Sequence, residues 1–392
     1  MDKYNVKTYN SISHLGLEKI KHSGLSIDIN KTANAILLRS HKLSIEEIKE
    51  SVHGVFRAGA GTNNIPIDFC TSNGIAVFNT PGANANAVKE LVILSILVSS
   101  RNIFRAKNSL IKVGNLPSDR FNVQVENLKK EFVGTEIKGR TIGIIGLGKI
   151  GSLVAESCIS LGMNVIGFDP VISIDSAWKL PSAIVRASSL EQLVELSDFI
   201  SLHLPLNSST KNIFSTNLFS KINKDAVLLN FARQEIVDEK ALGAYLKSKK
   251  IKYYVTDFPS PEYLNLDNVI SFPHLGASTS SAEDNCALMS AEQIIKFLVD
   301  GEIFNSVNFP DTTLKRESSY RLTLVNKNTP NMVGQITSVL ANHRINIHNM
   351  INKSKGDLAY NILDLDSSLN DEVLISLTKI LGITKVRYIP NE

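Results

Sequence analysis

Cysteine is scarce. Cys70, Cys158 and Cys286 are the three in 392 residues, and no C-x-x-C pair occurs. So sparse and odd a set excludes a disulfide scaffold and fits a reducing compartment. Blocks of like charge are missing as well: 42 basic against 38 acidic residues leave +4. That is too mild for a dedicated nucleic-acid binder, yet compatible with an anionic small-molecule substrate. The most apolar run, Leu91 to Val98, is interrupted by Ser95, whereas a bilayer span needs about 20 residues. The opening MDKYNVKTYN carries no apolar signal core. A cytoplasmic protein without membrane or nucleic-acid partner is expected. The eight histidines form no H-E-x-x-H, no Cys/His set has zinc spacing, and neither G-x-S-x-G nor a Walker A loop appears, so no metal is expected.

What is present is a globular balance of 43% hydrophobic and 20% charged residues, long enough for two to three domains of roughly 150 residues. Short apolar runs alternate with helical stretches, the α/β pattern. Ala35–Leu38, Val55–Arg57 and Ala76–Phe78 read as strands, and Ala85–Arg101 as a long buried helix. Residues 106–138, with Gly114 and Pro117, read as an irregular connection carrying some helix. Leu242–Lys250 reads as a helix whose last turn carries Lys247, Lys249 and Lys250. From Ser318 the pattern starts afresh as βαββαβ, a ferredoxin-like unit behind a short polar link at Asp311–Glu317.

Gly146-Leu147-Gly148-Lys149-Ile150-Gly151 is G-x-G-x-x-G between the strand Thr141–Ile145 and a helix expected over Ser152–Leu161. The first glycine permits the tight turn, Gly148 lets backbone approach a pyrophosphate, and Gly151 allows close helix–strand packing. Asp169 lies at the end of the next strand, 23 residues beyond Gly146. A carboxylate there accepts ribose hydroxyls and repels a 2′-phosphate, which argues NAD over NADP. This half of the chain reads as a Rossmann-like domain.

Hydride transfer from a secondary alcohol needs a proton carrier, a cation for the carboxylate, and the nicotinamide nearby. His274 follows the strand Asn268–Ser271, and Arg233 the strand Ala226–Leu229. In open parallel sheets, ligands bind at such strand ends. Glu262 precedes His274 by 12 residues in a loop. Paired through tertiary folding, it would stabilise the imidazolium, while Arg233 offers a planar fork for the carboxylate. Gly59-Ala60-Gly61 lacks bulk, so its N–H groups can cradle a carboxylate. Arg57 heads that loop and suits a phosphate.

The ordered set Arg57–Ile65, Asn79-Thr80-Pro81, Gly146–Gly151, Ser197–Leu206, Leu229–Arg233, Thr256–Glu262 and Pro273–Thr279 resembles the D-isomer-specific 2-hydroxyacid dehydrogenases. The resemblance implies catalytic roles for Arg233, Glu262 and His274, and substrate contacts for Arg57, Ala60 and Gly61. It implies cofactor contacts for Gly146, Gly148, Lys149, Ile150, Gly151, Asp169, His203, Pro205, Phe231, Ala232, Asp257, Gly276 and Ala277. Asp198 would lie beside the cofactor groove, and Glu90 would either serve the site or anchor a loop. Two departures bear on fit: Gln234 stands where the family usually has Gly, and Tyr263 where it often has Pro.

The fold this implies is α/β. A Rossmann-like NAD domain (99–286) is inserted into a flavodoxin-like substrate domain (1–98, with a return segment 287–314), followed by a small domain at 318–392. Two hinges would then flank a cleft closing on NAD and substrate; the alternative is a continuous N-terminal domain with no return segment. The activity implied is NAD-dependent oxidation of 3-phospho-D-glycerate to 3-phosphohydroxypyruvate at the start of serine biosynthesis. Glycerate, lactate or erythronate phosphate are alternative substrates, and a non-catalytic NAD-sensing scaffold is an alternative of another class. Val325–Ile336 resembles the strand-to-helix turn of an ACT domain, an amino-acid-sensing module. That implies L-serine as an effector near Asn326, Asn328 and Asn346, held across a pair of such domains in a homodimer or homotetramer.

Overall fold

The computed structural model describes residues 4–391. The chain divides into two compact units, one built from the segment up to Asn84 together with Ser280 onward, the other from Ala85–Thr279. The joints between these units fall at 84/85 and 279/280, against the 98/99 and 286/287 expected from the sequence. The helices Ala85–Arg101 and Ser280–Asp300 run unbroken, so each stays whole within one unit. Residues 318–392 group in one unit with the N-terminal segment.

In the first unit β1 (Val6–Thr8), β2 (Ala35–Leu38), β3 (Gly54–Arg57) and β4 (Ala76–Phe78) form a parallel sheet in sequential order. A parallel bridge Asn5–Ser26 flanks β1. Counting that bridge as a vestigial second strand restores the flavodoxin-like order 2-1-3-4-5. Apart from β1, these strands are largely apolar, as expected where helices cover a parallel sheet on both faces. Phe56 and Phe78 stack at 4.4 Å and meet Phe297 of the 280–300 helix.

The second unit holds seven parallel strands: β5 (Thr141–Ile145), β6 (Asn164–Phe168), β7 (Ile184–Arg186), β8 (Phe199–Leu202), β9 (Val227–Asn230), β10 (Tyr253–Thr256) and β11 (Val269–Ser271). Their spatial order, β11-β10-β9-β8-β5-β6-β7, reverses at β5/β8, the Rossmann switch point. The irregular connection expected at 106–138 is two helices, Ile103–Val113 and Ser118–Glu131, broken where Gly114 and Pro117 fall. The helix expected over 242–250 is Glu239–Lys247; Lys249 turns left-handed at φ +53°, which leaves Lys247 alone of the three lysines in the last turn.

The C-terminal sheet comprises β12 (Tyr320–Lys327), β13 (Ile347–Lys355), β14 (Leu358–Leu365) and β15 (Ile383–Pro390), antiparallel in the order β13-β14-β12-β15. That is the βαββαβ topology expected. Alternation divides β12 and β14 into two buried faces. Leu322, Leu324, Leu363 and Leu365 pack under the helices Met332–Asn342 and Asp371–Thr378. Val325, Tyr360 and Ile362 join the core around Phe297 and Phe309. The last four carbonyls of an α-helix have no partner within it. In the 280–300 helix all four are met by arginines of the C-terminal region. Arg387 donates to Phe297 O and Leu298 O, Arg316 to Val299 O at 3.1 Å, and Arg321 to Asp300 O at 2.9 Å.

Candidate active site

The site grows from the carboxyl ends of the seven-stranded sheet. After β5, Gly146 turns at φ +93°, a conformation glycine adopts without strain. A Cβ on Gly151 would lie 2.0 Å from Gly146 O, so the helix Lys149–Ser160 can start this close to the strand only with glycine there. Gly148 caps that helix and faces open space, with nothing within 4 Å of a Cβ built on it. The N–H groups of the first helical turn, which Lys149 and Ile150 open, are thus available to a pyrophosphate. Asp169, just past β6, accepts Leu147 N–H on Oδ2 at 2.9 Å and Val171 N–H on Oδ1 at 3.1 Å. Each oxygen keeps a lone pair for a ribose hydroxyl. The residues fit a dinucleotide.

His203 follows β8 and is half-buried. Its Nε2 lies 2.8 Å from Ser201 Oγ. Burial pushes the imidazole down to about 4, so the ring is neutral near pH 7. Pro205 accepts Thr210 Oγ–H at 2.6 Å, which fixes the next turn. Asp198 lies elsewhere. It accepts Thr141 N–H at 2.9 Å and pairs with Arg140 at 3.1 Å, at the amino ends of β5 and β8. The cofactor-groove location expected for it is corrected: Asp198 ties strand starts together. Glu90 accepts Asn86 Nδ2–H at 2.7 Å on its own helix.

At the end of β9, buried Asn230 shapes the turn that presents Arg233. Its Oδ1 accepts Ala232 N–H at 3.2 Å and its Nδ2 donates to Arg233 O at 2.9 Å. Phe231 is buried, and the Arg233 side chain is exposed. Gln234 opens the short 3-10 helix Gln234–Ile236 and is not among the left-handed residues. The Gly-to-Gln departure therefore costs no backbone strain. Asn230 had no role assigned from sequence, although a polar amide just before a turn is the signal for one.

After β10, Asp257 is buried and accepts two backbone N–H bonds of 2.6 Å, from Leu275 and Gly276. These hold the turn after β11, where His274 stands at φ +57°, a left-handed conformation uncommon outside glycine. The His274 ring is exposed and meets Phe258 edge-on at 5.2 Å. Ala277 follows the clamp. Glu262 does not reach His274: among the described residues no hydrogen bond or ion pair joins them. Its exposed carboxylate takes Lys247 Nζ at 3.2 Å instead. The cause is local. Tyr263 is buried, and its hydroxyl donates to Glu239 O at 2.9 Å, pinning the loop beside the helix that carries Lys247.

In the first unit, Arg57 ends β3 and donates from Nε to Arg39 O at 3.0 Å and from a terminal nitrogen to Gly61 O. Asn79 Nδ2 donates to Ala60 O at 2.6 Å. The loop is tied from both sides, and the N–H groups of Ala60 and Gly61 have no acceptor among the described residues. They are suited to an anion.

The three C-terminal asparagines separate. Asn326 is buried, and its Oδ1 accepts Asn361 Nδ2–H at 2.6 Å while Asn361 Oδ1 accepts Asn352 Nδ2–H at 2.6 Å. Asn328 is exposed beside the 356–357 turn, and exposed Asn346 pairs with Asp366. These are opposite ends of β14, about 25 Å apart at the rise of a strand.

Residues 94–276 match the family model described as D-isomer specific 2-hydroxyacid dehydrogenase, NAD binding domain. A D-3-phosphoglycerate dehydrogenase of Methanocaldococcus jannaschii is 32% identical over 381 residues, covering 94% of this chain and 67% of that protein. A D-3-phosphoglycerate dehydrogenase of Haemophilus influenzae is 30% identical over 375 residues, covering 92% and 87%. The NAD+-bound 3-phosphoglycerate dehydrogenase structure of Entamoeba histolytica aligns with TM-score 0.62 and 27% identity, over 78% of this chain and 98% of that one. With a Gly-loop, a ribose carboxylate and strand-end Arg and His in the family's order, this chain belongs to the D-isomer-specific 2-hydroxyacid dehydrogenases and binds NAD.

Proposed function

We propose that the protein oxidises 3-phospho-D-glycerate to 3-phosphohydroxypyruvate with NAD, the entry reaction to L-serine. One observation carries this reading. The Gly-loop, Asp169, His203, Arg233, Asp257 and His274 follow β5, β6, β8, β9, β10 and β11 in turn, all at the carboxyl edge of one sheet, where such sheets bind ligands. Bound NAD supplies the hydride acceptor. His274 takes the hydroxyl proton and returns it in the reverse direction. Arg233 holds the carboxylate, with Ala60 and Gly61 as amide donors and Arg57 toward the phosphate. Glu262 supports His274 after leaving Lys247. The test is NADH absorbance with a panel of 2-hydroxy acids and their 2-oxo products, in both directions. Turnover is expected to be highest with the phosphoglycerate pair. A preference for lactate or glycerate overturns the substrate, and no turnover with any overturns the enzyme.

The protein works as a homodimer or homotetramer on this reading. Ile103, Phe104, Leu110, Ile111 and Val123 are exposed along the helices of 103–131, an apolar face suited to a second copy. A single C-terminal domain cannot bring Asn328 and Asn346 to one ligand, whereas two domains related by a two-fold axis along the open edge of β13 would. L-serine is then the effector, held at those exposed asparagines, with Asn326 acting through the amide ladder beneath. Titrating L-serine against activity, with Asn346→Ala as control, tests this; no response up to millimolar serine leaves the domain an assembly element. A cytoplasmic location accords with three free, buried thiols.

A further inference from the structure

The C-terminal sheet docks on the substrate segment through cations, and they are not equally compensated. Arg321 is fully buried against Asp364, with bonds of 2.7 and 2.9 Å. Arg387 and Lys385 have no carboxylate within ion-pairing distance among the described residues. Lys385 Nζ donates to Val52 O at 2.6 Å. The terminal nitrogens of Arg387 donate to Phe297 O and Leu298 O, and its guanidinium lies 5.0 and 5.4 Å from the rings of Phe297 and Tyr4. Glu50 is the acidic group facing Lys385, and no ion pair joins them. Arg387 is buried and Lys385 half-buried, and cations withdrawn from water without a counter-charge are costly.

Between these groups is a cavity of about 20 Å³ lined by His53, Gly74, Phe297, Thr323, Lys385 and Arg387 among others. Arg387 is only 8% exposed, and its Nε has no hydrogen-bond partner. Nδ1 of His53 is likewise buried and unpartnered. Two of the residues that line this small void thus each carry a buried, unpartnered polar atom, which calls for an occupant. The void takes a water or an ion of similar size. A water leaves two positive charges uncancelled, whereas a monovalent anion cancels one and accepts from Arg387 Nε–H and from Nδ1–H of neutral His53. Burial, with Arg387 and Lys385 adding to it, holds His53 down to about 3. Gly74, left-handed at φ +65°, lets the sheet close over the site, since a Cβ there would meet Lys385 Cβ at 2.8 Å.

We propose that this cavity is a halide-sized anion site, formed by His53, Lys385 and Arg387, that fastens the C-terminal domain to the substrate segment. An anion bound only when the two are docked stabilises the docked form by mass action. The thermal midpoint of the full-length protein is measured in sodium chloride and in sodium gluconate, an anion too large for the cavity, at equal ionic strength. Chloride should raise the midpoint by about 2 °C per tenfold concentration above its dissociation constant. Lys385→Met and His53→Leu should each flatten that dependence. A bromide-soaked crystal of the unaltered protein should show an anomalous peak among the three side chains, a readout that stands even where a variant fails to fold. Equal midpoints in the two salts, or a bromide map without that peak, make the occupant a water and overturn the proposal. A chloride effect undiminished in both variants overturns it too.

Discussion

Oδ2 of Asp257 accepts the backbone N–H of Gly276 at 2.6 Å, and its other oxygen holds Leu275 equally closely. The clamp keeps His274, one residue upstream, in its left-handed turn. Asp257→Asn replaces one acceptor with an N–H group that opposes a backbone N–H. Turnover should fall about 10- to 100-fold, the cost of a slight misplacement. The dissociation constant for NAD should change little. A large loss of NAD affinity with unchanged turnover would instead make Asp257 a cofactor contact.

His274→Asn should lower turnover by about 100-fold or more while NAD binding persists; near-normal turnover sinks the proton-carrier role. Glu262 and Lys247 separate the rest. Glu262→Gln should lower turnover, whereas Lys247→Met, which frees the Glu262 carboxylate, should maintain or raise it. Equal losses in the two variants would show that the ion pair itself matters.

The dinucleotide half was legible because its determinants are local. Gly146, Gly151 and Asp169 act within one βαβ turn, where spacing in sequence is nearly spacing in space. Arg233 and His274 could be read at strand ends for the same reason. The Glu262 ion pair could not: a loop residue's partner depends on what pins the loop, here Tyr263 against the helix 239–247. The docking of the C-terminal domain was illegible too. Arg321, Lys385 and Arg387 alternate with apolar residues along β12 and β15, a pattern that reads as one solvated face. That the face is buried follows only from the unpaired carbonyls of the 280–300 helix beneath it. The short strand β1 escaped notice, since Val6-Lys7-Thr8 offers no apolar run.

Asp169 should impose a strong NAD preference. Asp169→Ala removes the ribose acceptor and the bond to Leu147 N–H, so kcat/KM for NAD should fall roughly tenfold or more, the scale of one lost charge-assisted hydrogen bond. The NAD/NADP ratio should narrow as repulsion of the 2′-phosphate disappears. Comparable use of NADP by the unaltered protein would remove Asp169 from the ribose site.

Burial holds His203 down to about 4, below the ordinary 6.5 of an unfolded chain. Between those values the unfolded state binds more protons than the folded one, so stability rises with pH across that window and falls as pH drops through it. His203→Gln keeps a partner for Ser201 and removes the titration. Its thermal midpoint should decline less than the unaltered protein's between pH 6.5 and 4. Parallel declines would show that His203 charges freely in the folded state.

Arg321 and Asp364 are both completely buried. Besides the pair, Arg321 caps Asp300 O, and Asp364 accepts Glu317 N–H at 3.1 Å. Removing one member leaves the other charged and dry, so Asp364→Leu should cost about 3–5 kcal/mol, read from denaturant midpoints. Replacing both, Arg321→Met with Asp364→Leu, abolishes the stranded charge. Such double replacements are often near neutral. Here a residual loss of about 1 kcal/mol should remain, because the part-buried Asp300 carbonyl loses its cap and the Glu317 N–H its acceptor. The double variant should therefore be markedly more stable than Asp364→Leu alone. If the two losses simply add, the pair is not coupled and the docking of the sheet rests on Arg387 and the apolar face around Tyr360.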